Sequence, residues 1–251
     1  MKALPVLCGI LCVAAAPATE FEVVSIRPNS GNGQGSGARR FQESWRANNI
    51  SVKAIIVSAF QVLELDIAGA PSWIDSERFD IEAKFENDPA YTTPEGLNRH
   101  RLRLQALLAS RFQLQIHRER KEMPSYVLVT AKSRLKLTPS EKKDASSMRK
   151  VNGHWECKGV DLEGLAQSLT AQLGRHVVNQ TGIEGRFDFA LDFEPEETAS
   201  GDDIAKPVPG AYAPKASLFA AIQDQLGLKL ESRRATVELL MVDRVERPSE
   251  N

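Results

Sequence analysis

The stretch from Leu162 to Phe193 constrains the fold more than any other, because its hydrophobic period changes from helical to extended within one short segment. Its apolar residues first recur at spacings of three and four, which predicts a helix with Asp161 as N-cap and Gly174 as its end. The period then becomes two, which predicts a short strand, a turn and a second strand at 186–193. The segment is therefore predicted to be one helix followed by two strands.

The same order of patterns recurs elsewhere in the chain. Further helices are predicted at 49–60, 93–108 and 217–226. The second of these precedes two strands joined by a charged turn at 118–124, and the third precedes two strands joined by a tight turn at 233–234. Each unit thus repeats the order helix, strand, strand.

These units predict the fold class, because a helix with two strands cannot cover its own apolar face. We predict an α+β protein of two related modules, each built from two helix-strand-strand repeats with a mostly antiparallel sheet covered by helices. The predicted organisation is a signal peptide at 1–18, an N-terminal module at 19–139, a basic linker at 140–150, and a C-terminal module at 151–251 with a disordered insertion at 194–213.

The N-terminus has the composition of a secretory signal. Lys2 precedes an apolar run, and the small residues around Pro17 form a cleavage site that would leave Thr19 as the first residue. The alternative, a buried N-terminal helix, fits the proline and the alanines less well. We expect an exported protein, periplasmic or extracellular, whose mature chain has no membrane span. Cys157 would be its one cysteine, and a small residue within a strand is the favoured interpretation over a reactive thiol.

Charge and glycine patterns exclude two kinds of ligand site. The net charge of −1 gives no drive toward nucleic acid, and the basic segment 132–150 has no interleaved aromatic residues that would stack on bases. The glycine-rich segment 29–37 is followed by Ala38-Arg39-Arg40-Phe41 rather than by the Lys-Ser or Lys-Thr of a phosphate-binding loop. We interpret it as a flexible surface loop that leads into another strand.

The chemistry-bearing residues form no recognisable catalytic pattern. The chain has four histidines, namely His100, His117, His154 and His176, and no pair of them has the spacing of a zinc site. No hydrolase serine motif is present. The sequence therefore assigns no catalytic residue, no cofactor and no metal ligand.

Two further sets of residues leave alternatives open. Asp80 and Asp188 occupy equivalent places in Arg-Phe-Asp segments, so they could converge as an acid pair, although exposed pairing beside an arginine is the favoured interpretation. Trp73 and Trp155 could line a ligand groove, or they could close the edge of a core, which is the commoner role.

Five segments carry a family resemblance. They read FEVVSIRP, GAPSWIDSERFDIEAK, LLASRFQLQIHRERKEMPSYVLVTAK, GRHVVNQTGIEGRFDFALDFEP and LGLKLESRRATVELLMVDRVERPSEN. In combination they resemble a soil-associated family of secreted bacterial proteins of unknown function that is expanded in Acidobacteria. The resemblance covers essentially the whole mature chain. It implies export but no activity or ligand, and relatives that look fused to membrane sensors imply a binding or sensing role.

A second resemblance concerns architecture alone. The segment 217–245 is similar to the short N-terminal domain of secretins and TonB-dependent transducers, which bind other proteins in the periplasm. Together these features favour a non-catalytic binding or sensing module for a protein or cell-envelope partner, through exposed strand edges or the surface between the two modules. The competing hypothesis is an extracellular hydrolase that uses paired carboxylates.

Overall fold

The computed structural model describes residues 19–29, 35–141, 146–194 and 216–248. The predicted signal peptide at 1–18 and nearly all of the predicted insertion at 194–213 lie outside these residues. The chain divides into two compact units. Unit 1 contains the described residues up to Arg118 and those from Leu240 onward, whereas unit 2 is formed by Glu119–Leu239. Both helices and mostly antiparallel sheets are present, so the predicted α+β class is confirmed.

Unit 1 contains a four-stranded antiparallel sheet. Its elements, in chain order, are β1 (Val23–Asn29), β2 (Gly37–Arg40), β3 (Ser44–Ile50), α1 (Val52–Phe60), a 3₁₀ turn (Glu64–Asp66), β4 (Ile67–Ala68), α2 (Trp73–Ser76), β5 (Arg78–Lys84) and α3 (Pro94–Arg111). The strands of the sheet follow the order β1-β5-β3-β2, which leaves β1 and β2 at its two edges.

Local sequence signals explain where the helices of unit 1 begin. The Ser51 hydroxyl accepts a hydrogen bond from the Ala54 amide at 3.2 Å, and Thr93 caps α3 in the same way ahead of a proline at the first helical position. α1 ends at Gln61, whose φ of 53° lies in the left-handed region. The predicted helices are confirmed, with α1 starting three residues later than expected because 49–50 belong to β3.

The core of unit 1 lies between one face of the sheet and the two longer helices. Alternate residues of β3 and β5 are buried, and the residues between them face solvent or are half-buried. The buried set packs in one cluster with α1 and α3 and includes Trp45, Ala47, Phe79, Ile81, Ala83, Ile55, Ile56, Leu104 and Leu108. The opposite face of the sheet therefore carries the polar residues.

Unit 2 contains a second four-stranded antiparallel sheet. Its elements are β7 (Thr138–Pro139), β8 (Ser147–Val151), β9 (His154–Val160), α4 (Leu162–Leu173), β10 (Val177–Asn179), β11 (Phe187–Asp192), and α5 (Leu218–Ala221) continued by a π-helical turn (Ile222–Leu226). The sheet order is β7-β11-β9-β8. The predicted cap Asp161 and helix stop Gly174 are confirmed, since Asp161 accepts from the Gly164 amide at 2.8 Å and Gly174 has a φ of 59°.

Two long strands, β6 (Gln115–Thr130) and β12 (Leu228–Arg244), each contribute residues to both units. Within unit 1, the end of β12 pairs in parallel with β4, and within unit 2, the end of β6 pairs in parallel with β10. The predicted turns at 118–124 and 233–234 are wrong, because each lies inside one of these continuous strands.

The polar composition of these two strands explains the error. Most residues from His117 to Glu122 are exposed on both faces of β6, so the strand has no alternating apolar signal there. Their charges pair locally in unit 2, where Arg120 lies 3.9 Å from Glu238 and Arg234 donates to the Glu122 carbonyl at 2.7 Å. A strand of this kind has the composition of a turn.

The predicted linker at 140–150 also differs from the structure. Residues 147–150 belong to β8, and the described residues of the segment fall within unit 2. The strand β3 has no counterpart in the sequence-based prediction, and of β9 only the strand position of Cys157 was predicted. Residues 142–145 of the linker lie outside the described part of the chain.

Candidate binding surface

The two Arg-Phe-Asp segments lie opposite equivalent β-bulges in β3 and β9. Asp80 accepts hydrogen bonds from the Asn49 amide at 2.9 Å and from Asn29 Nδ2 at 2.7 Å. Asp188 accepts from the Gly159 amide at 2.7 Å. Both amides belong to residues with positive φ. Each of these residues lies where the strand pairing shifts its register, two residues before the N-cap of the following helix. Each carboxylate therefore supports the backbone of its own unit, and the two lie in different units.

This shared bulge aligns the two sheets residue by residue. Trp45 and Trp155 occupy the same buried position, four residues before the positive-φ residue of the bulge. The same alignment places Arg46 in β3 at the position of Glu156 in β9. It also places Arg39 in β2 at the position of Arg149 in β8. The solvent-facing sides of the two sheets can therefore be compared position by position.

The solvent-facing side of the unit 1 sheet carries two arginines opposite each other. Arg39 and Arg46 are direct cross-strand partners and both are exposed. Neither forms an ion pair with another residue that the structure describes, although Arg46 lies opposite Glu82 of β5 on its other side. Like charges placed directly opposite each other destabilise a sheet. This pair is thus an arrangement that folding alone does not favour.

A concavity of about 490 Å³ lies over these arginines. It is lined by Gly35, Ser36, Gly37, Ala38, Arg39, Phe41, Arg46 and Asn48. Phe41 is 43% exposed, and the Arg46 guanidinium lies 5.8 Å from its ring centroid. A second concavity of about 300 Å³ shares Phe41 and Arg46. An exposed aromatic ring beside two cations is suited to contact a partner.

The outer edge of β2 presents backbone groups next to this concavity. The Phe41 amide donates to the Ser44 carbonyl at 2.7 Å, which identifies that pair as hydrogen-bonded. Hydrogen-bonded and non-bonded pairs alternate along an antiparallel ladder, so Ala38 and Arg40 direct their amide and carbonyl groups away from β3. Among the described residues, no strand pairs with this edge. It can accept one more strand.

The opposite edge of the same sheet is more protected. Arg111 of α3 reaches the Val24 carbonyl of β1 at 3.5 Å, and β1 contains Pro28. A small concavity of about 90 Å³ remains between the start of β1 and α3. We therefore regard β2 as the better edge for adding a strand in unit 1.

A buried charged cluster connects α3 to the loop after β5. Arg99 donates to Asp88 at 3.0 and 2.6 Å, and Arg103 donates to it at 3.4 Å, which lowers the pKa of Asp88. Burial, with smaller contributions from the charges of Arg40 and Arg103, lowers the pKa of His100 to about 4. His100 is therefore neutral at pH 7. The cluster stabilises unit 1 and lines none of the concavities described above.

The remaining histidines do not assemble a site. His117 contacts Asp243 at 2.9 Å and His154 contacts Asp192 at 2.7 Å, and all four side chains are about half-exposed. His176 is buried in unit 2. Within the described ranges, no group of three or more His, Cys, Asp or Glu side chains is arranged to hold a metal ion.

Cys157 and Trp155 lie in the core of unit 2. Burial raises the pKa of the Cys157 thiol to about 11, so it is a poor nucleophile at neutral pH, and the predicted role of a small strand residue is confirmed. Trp155 is 2% exposed and lines no groove. Trp73 lies under the guanidinium of Arg247, which also pairs with Glu77.

The sequence analysis did not single out Arg39, Phe41 or Arg46 as surface residues. It predicted a strand at Ala38–Phe41 but not β3, and without β3 the cross-strand partner of Arg39 is unknown. The available signal was the repeat of a tryptophan six residues before each helix N-cap, in WRANNIS and WECKGVD.

Comparison with known proteins gives a family but no function. Residues 53–245 match a family model described as protein of unknown function DUF3738. No curated protein and no solved structure matches the chain. Within the described residues, no helix has the length and apolar character needed to cross a membrane.

Proposed function

We propose that this chain, which belongs to the family described as protein of unknown function DUF3738, is a non-catalytic binding or sensing module. In this proposal, an extended segment of a protein or cell-envelope partner adds to the outer edge of β2. The observation that carries the proposal is the free edge at Ala38 and Arg40 beside the concavity around Phe41. Backbone hydrogen bonds would supply affinity, and the side chains around the concavity would supply selectivity.

The proposal includes export, which rests on the sequence of residues 1–18. An exported binding module would meet its partner in the periplasm or outside the cell. Its mature form should begin at Thr19 when it is isolated from the producing cell and sequenced from its N-terminus. A mature protein that still begins at Met1 would contradict this part of the proposal.

No observation favours the hydrolase alternative. Its two carboxylates, Asp80 and Asp188, lie in different units and accept backbone hydrogen bonds at equivalent bulges. Their positions are accounted for by the fold.

The binding proposal is tested by selecting peptides against the full protein. A random peptide library should contain members that bind the wild-type protein and not the Ala38→Pro variant. Proline removes the outward amide of residue 38 but no hydrogen bond to β3, so an edge strand tolerates it. Circular dichroism and unfolding of the variant provide the control that its fold is intact.

Hydrogen exchange gives the decisive readout. A selected peptide should slow exchange at the amides of Ala38 and Arg40, because these two groups point toward the added strand. The amide of Arg39 already points toward β3 and serves as the internal control. Failure to select any peptide with this pattern would contradict the proposed function.

A further inference from the structure

We propose that the segment accepted by β2 is acidic, with carboxylates at alternate residues that pair with Arg39 and reach Arg46. This inference rests on the proposed function and adds the chemical class of the partner. The observation behind it is the cross-strand pair of arginines on the solvent-facing side of the unit 1 sheet.

Arg39 has no acidic partner among the described residues, because its cross-strand partner is Arg46. Arg46 also lies opposite Glu82 of β5, to which it forms no ion pair. Arg46 rests against the Phe41 ring at 5.8 Å, which keeps its guanidinium next to the edge strand. A carboxylate brought to this place would relieve the like-charge repulsion and form charge-assisted hydrogen bonds.

Unit 2 has the neutralised version of the same arrangement. At the equivalent positions, Arg149 lies directly opposite Glu156. Glu156 also bonds Lys158 at 2.8 Å, and hydrogen bonding to Lys158 lowers the pKa of Glu156. The fold therefore accommodates an acidic residue at this position, whereas unit 1 has an arginine there and an acid, Glu82, on the next strand. The edge residue Arg39 is left without an acid opposite it, which points to a partner that supplies a carboxylate to Arg39.

The geometry of strand addition sets the spacing of the acidic residues. In an added strand, alternate side chains point to the same side of the sheet. A residue opposite Arg39 would have its Cβ about 5 Å from that of Arg39, and residues two positions away would lie beside Gly37 and Phe41. A segment that alternates acidic with β-branched residues would therefore place its carboxylates over the arginines. The exposed ring of Phe41 would pack against the aliphatic part of the acidic side chains of the added segment.

The test uses three labelled peptides of equal length that alternate valine or threonine with glutamate, glutamine or lysine. Binding to the full protein is measured by fluorescence anisotropy. The glutamate peptide should bind about tenfold or more tightly than the glutamine peptide, and the lysine peptide should bind most weakly.

Four variants identify the surface. Arg39→Ala and Arg46→Ala should each weaken binding of the glutamate peptide by about tenfold, since each removes one carboxylate partner. Ala38→Pro should weaken binding of both the glutamate and the glutamine peptide. Arg149→Ala, which removes an exposed arginine from unit 2, is the matched control and should leave all affinities unchanged.

The outcomes separate this inference from the proposed function. If the glutamine peptide binds as tightly as the glutamate peptide and Ala38→Pro weakens both, strand addition stands and the acidic partner is overturned. If an oligonucleotide or a sulfated polysaccharide binds through Arg39 and Arg46 without sensitivity to Ala38→Pro, the partner is a polyanion and the inference is overturned. If none of the three peptides binds but a peptide selected from the random library does, the acidic partner is overturned and strand addition stands. If neither these peptides nor any library peptide binds the wild-type protein, the proposed function itself fails.

Discussion

The sheets of units 1 and 2 share one construction but differ in the charges that they present to solvent. Both place a tryptophan on the buried side of a central strand, followed by a positive-φ bulge that an aspartate supports. On the solvent side, unit 2 has opposite charges, Arg149 and Glu156, where unit 1 has Arg39 and Arg46. The shared residues are those that folding requires, so the unlike residues are the better guide to function.

The interiors of the two units differ as well. Unit 1 buries the charged residues Asp88 and Arg103 together with His100, whereas the described part of unit 2 buries only neutral hydroxyls and His176 among its polar side chains. Buried charges are stable only while each retains its partner. Unit 1 should therefore respond more strongly to a change in pH, and its behaviour can be tested separately.

The largest expected effect is acid destabilisation of unit 1 through His100. Its pKa falls from 6.5 to about 4 on folding, so between these pH values the unfolded chain binds a proton that the folded protein does not. The free energy of unfolding should therefore decrease as pH falls through this window, by up to about 3 kcal/mol. Urea unfolding at pH 7 and pH 4.5 measures the change through tryptophan fluorescence, to which Trp45 contributes from a ring 5.9 Å from His100.

The variant His100→Gln provides the control for this effect. It cannot take up the proton, so its free energy of unfolding should vary less between pH 6.5 and pH 4 than that of the wild-type protein. An identical pH dependence in the variant would show that other groups cause the loss.

The next effect concerns the two bulges. Asp80→Ala and Asp188→Ala each remove the acceptor of a bulge amide and should each lower the free energy of unfolding by about 2 kcal/mol. Asparagine at either position keeps an acceptor oxygen and should cost less. Chemical unfolding of the four variants measures the costs. If only one of the alanine variants is destabilised, the two bulges are not equivalent.

A smaller effect is expected at the helix ends that precede β4 and β10. Gln61 and Gly174 both adopt the left-handed conformation, which favours glycine. Gly174→Gln should therefore lower the free energy of unfolding by about 1 kcal/mol, and Gln61→Gly should raise it by about 0.5 kcal/mol. Apart from the adjoining backbone, no described atom lies within 4 Å of the place that a Cβ would take at Gly174, so backbone strain alone is tested there. Thermal unfolding of both variants gives the comparison, and a loss of stability in both would contradict it.

The smallest effect tests the charge difference directly. Arg39→Glu gives unit 1 a pair of opposite charges at the position of the unit 2 pair and should raise the free energy of unfolding by about 0.5 kcal/mol. Glu156→Arg gives unit 2 the like-charge pair and should lower it by a similar amount. Both changes should shrink at high salt, which screens exposed charges. If both variants change the free energy of unfolding in the same direction, the proposed charge difference between the two sheets is contradicted.

The element pattern was predictable wherever local signals act within a few residues. The caps at Thr93 and Asp161, the stop at Gly174 and the β-strand period of 187–192 follow from hydrogen bonds and side-chain direction close in sequence. The recurrence of Arg-Phe-Asp was also visible in the sequence. The role of the segment was not visible, because the amides that donate hydrogen bonds to the two aspartates lie 31 and 29 residues away in sequence.

The sequence by itself determined the α+β class, the positions of the longer helices and the absence of a recognisable catalytic motif. Only the tertiary structure decided that β6 and β12 are continuous strands and that Arg39 lies opposite Arg46. The physical reason is the same in both cases. Exposed polar strands have no apolar period of their own, so their direction and partners are set by pairing with a neighbouring strand, which no local pattern encodes.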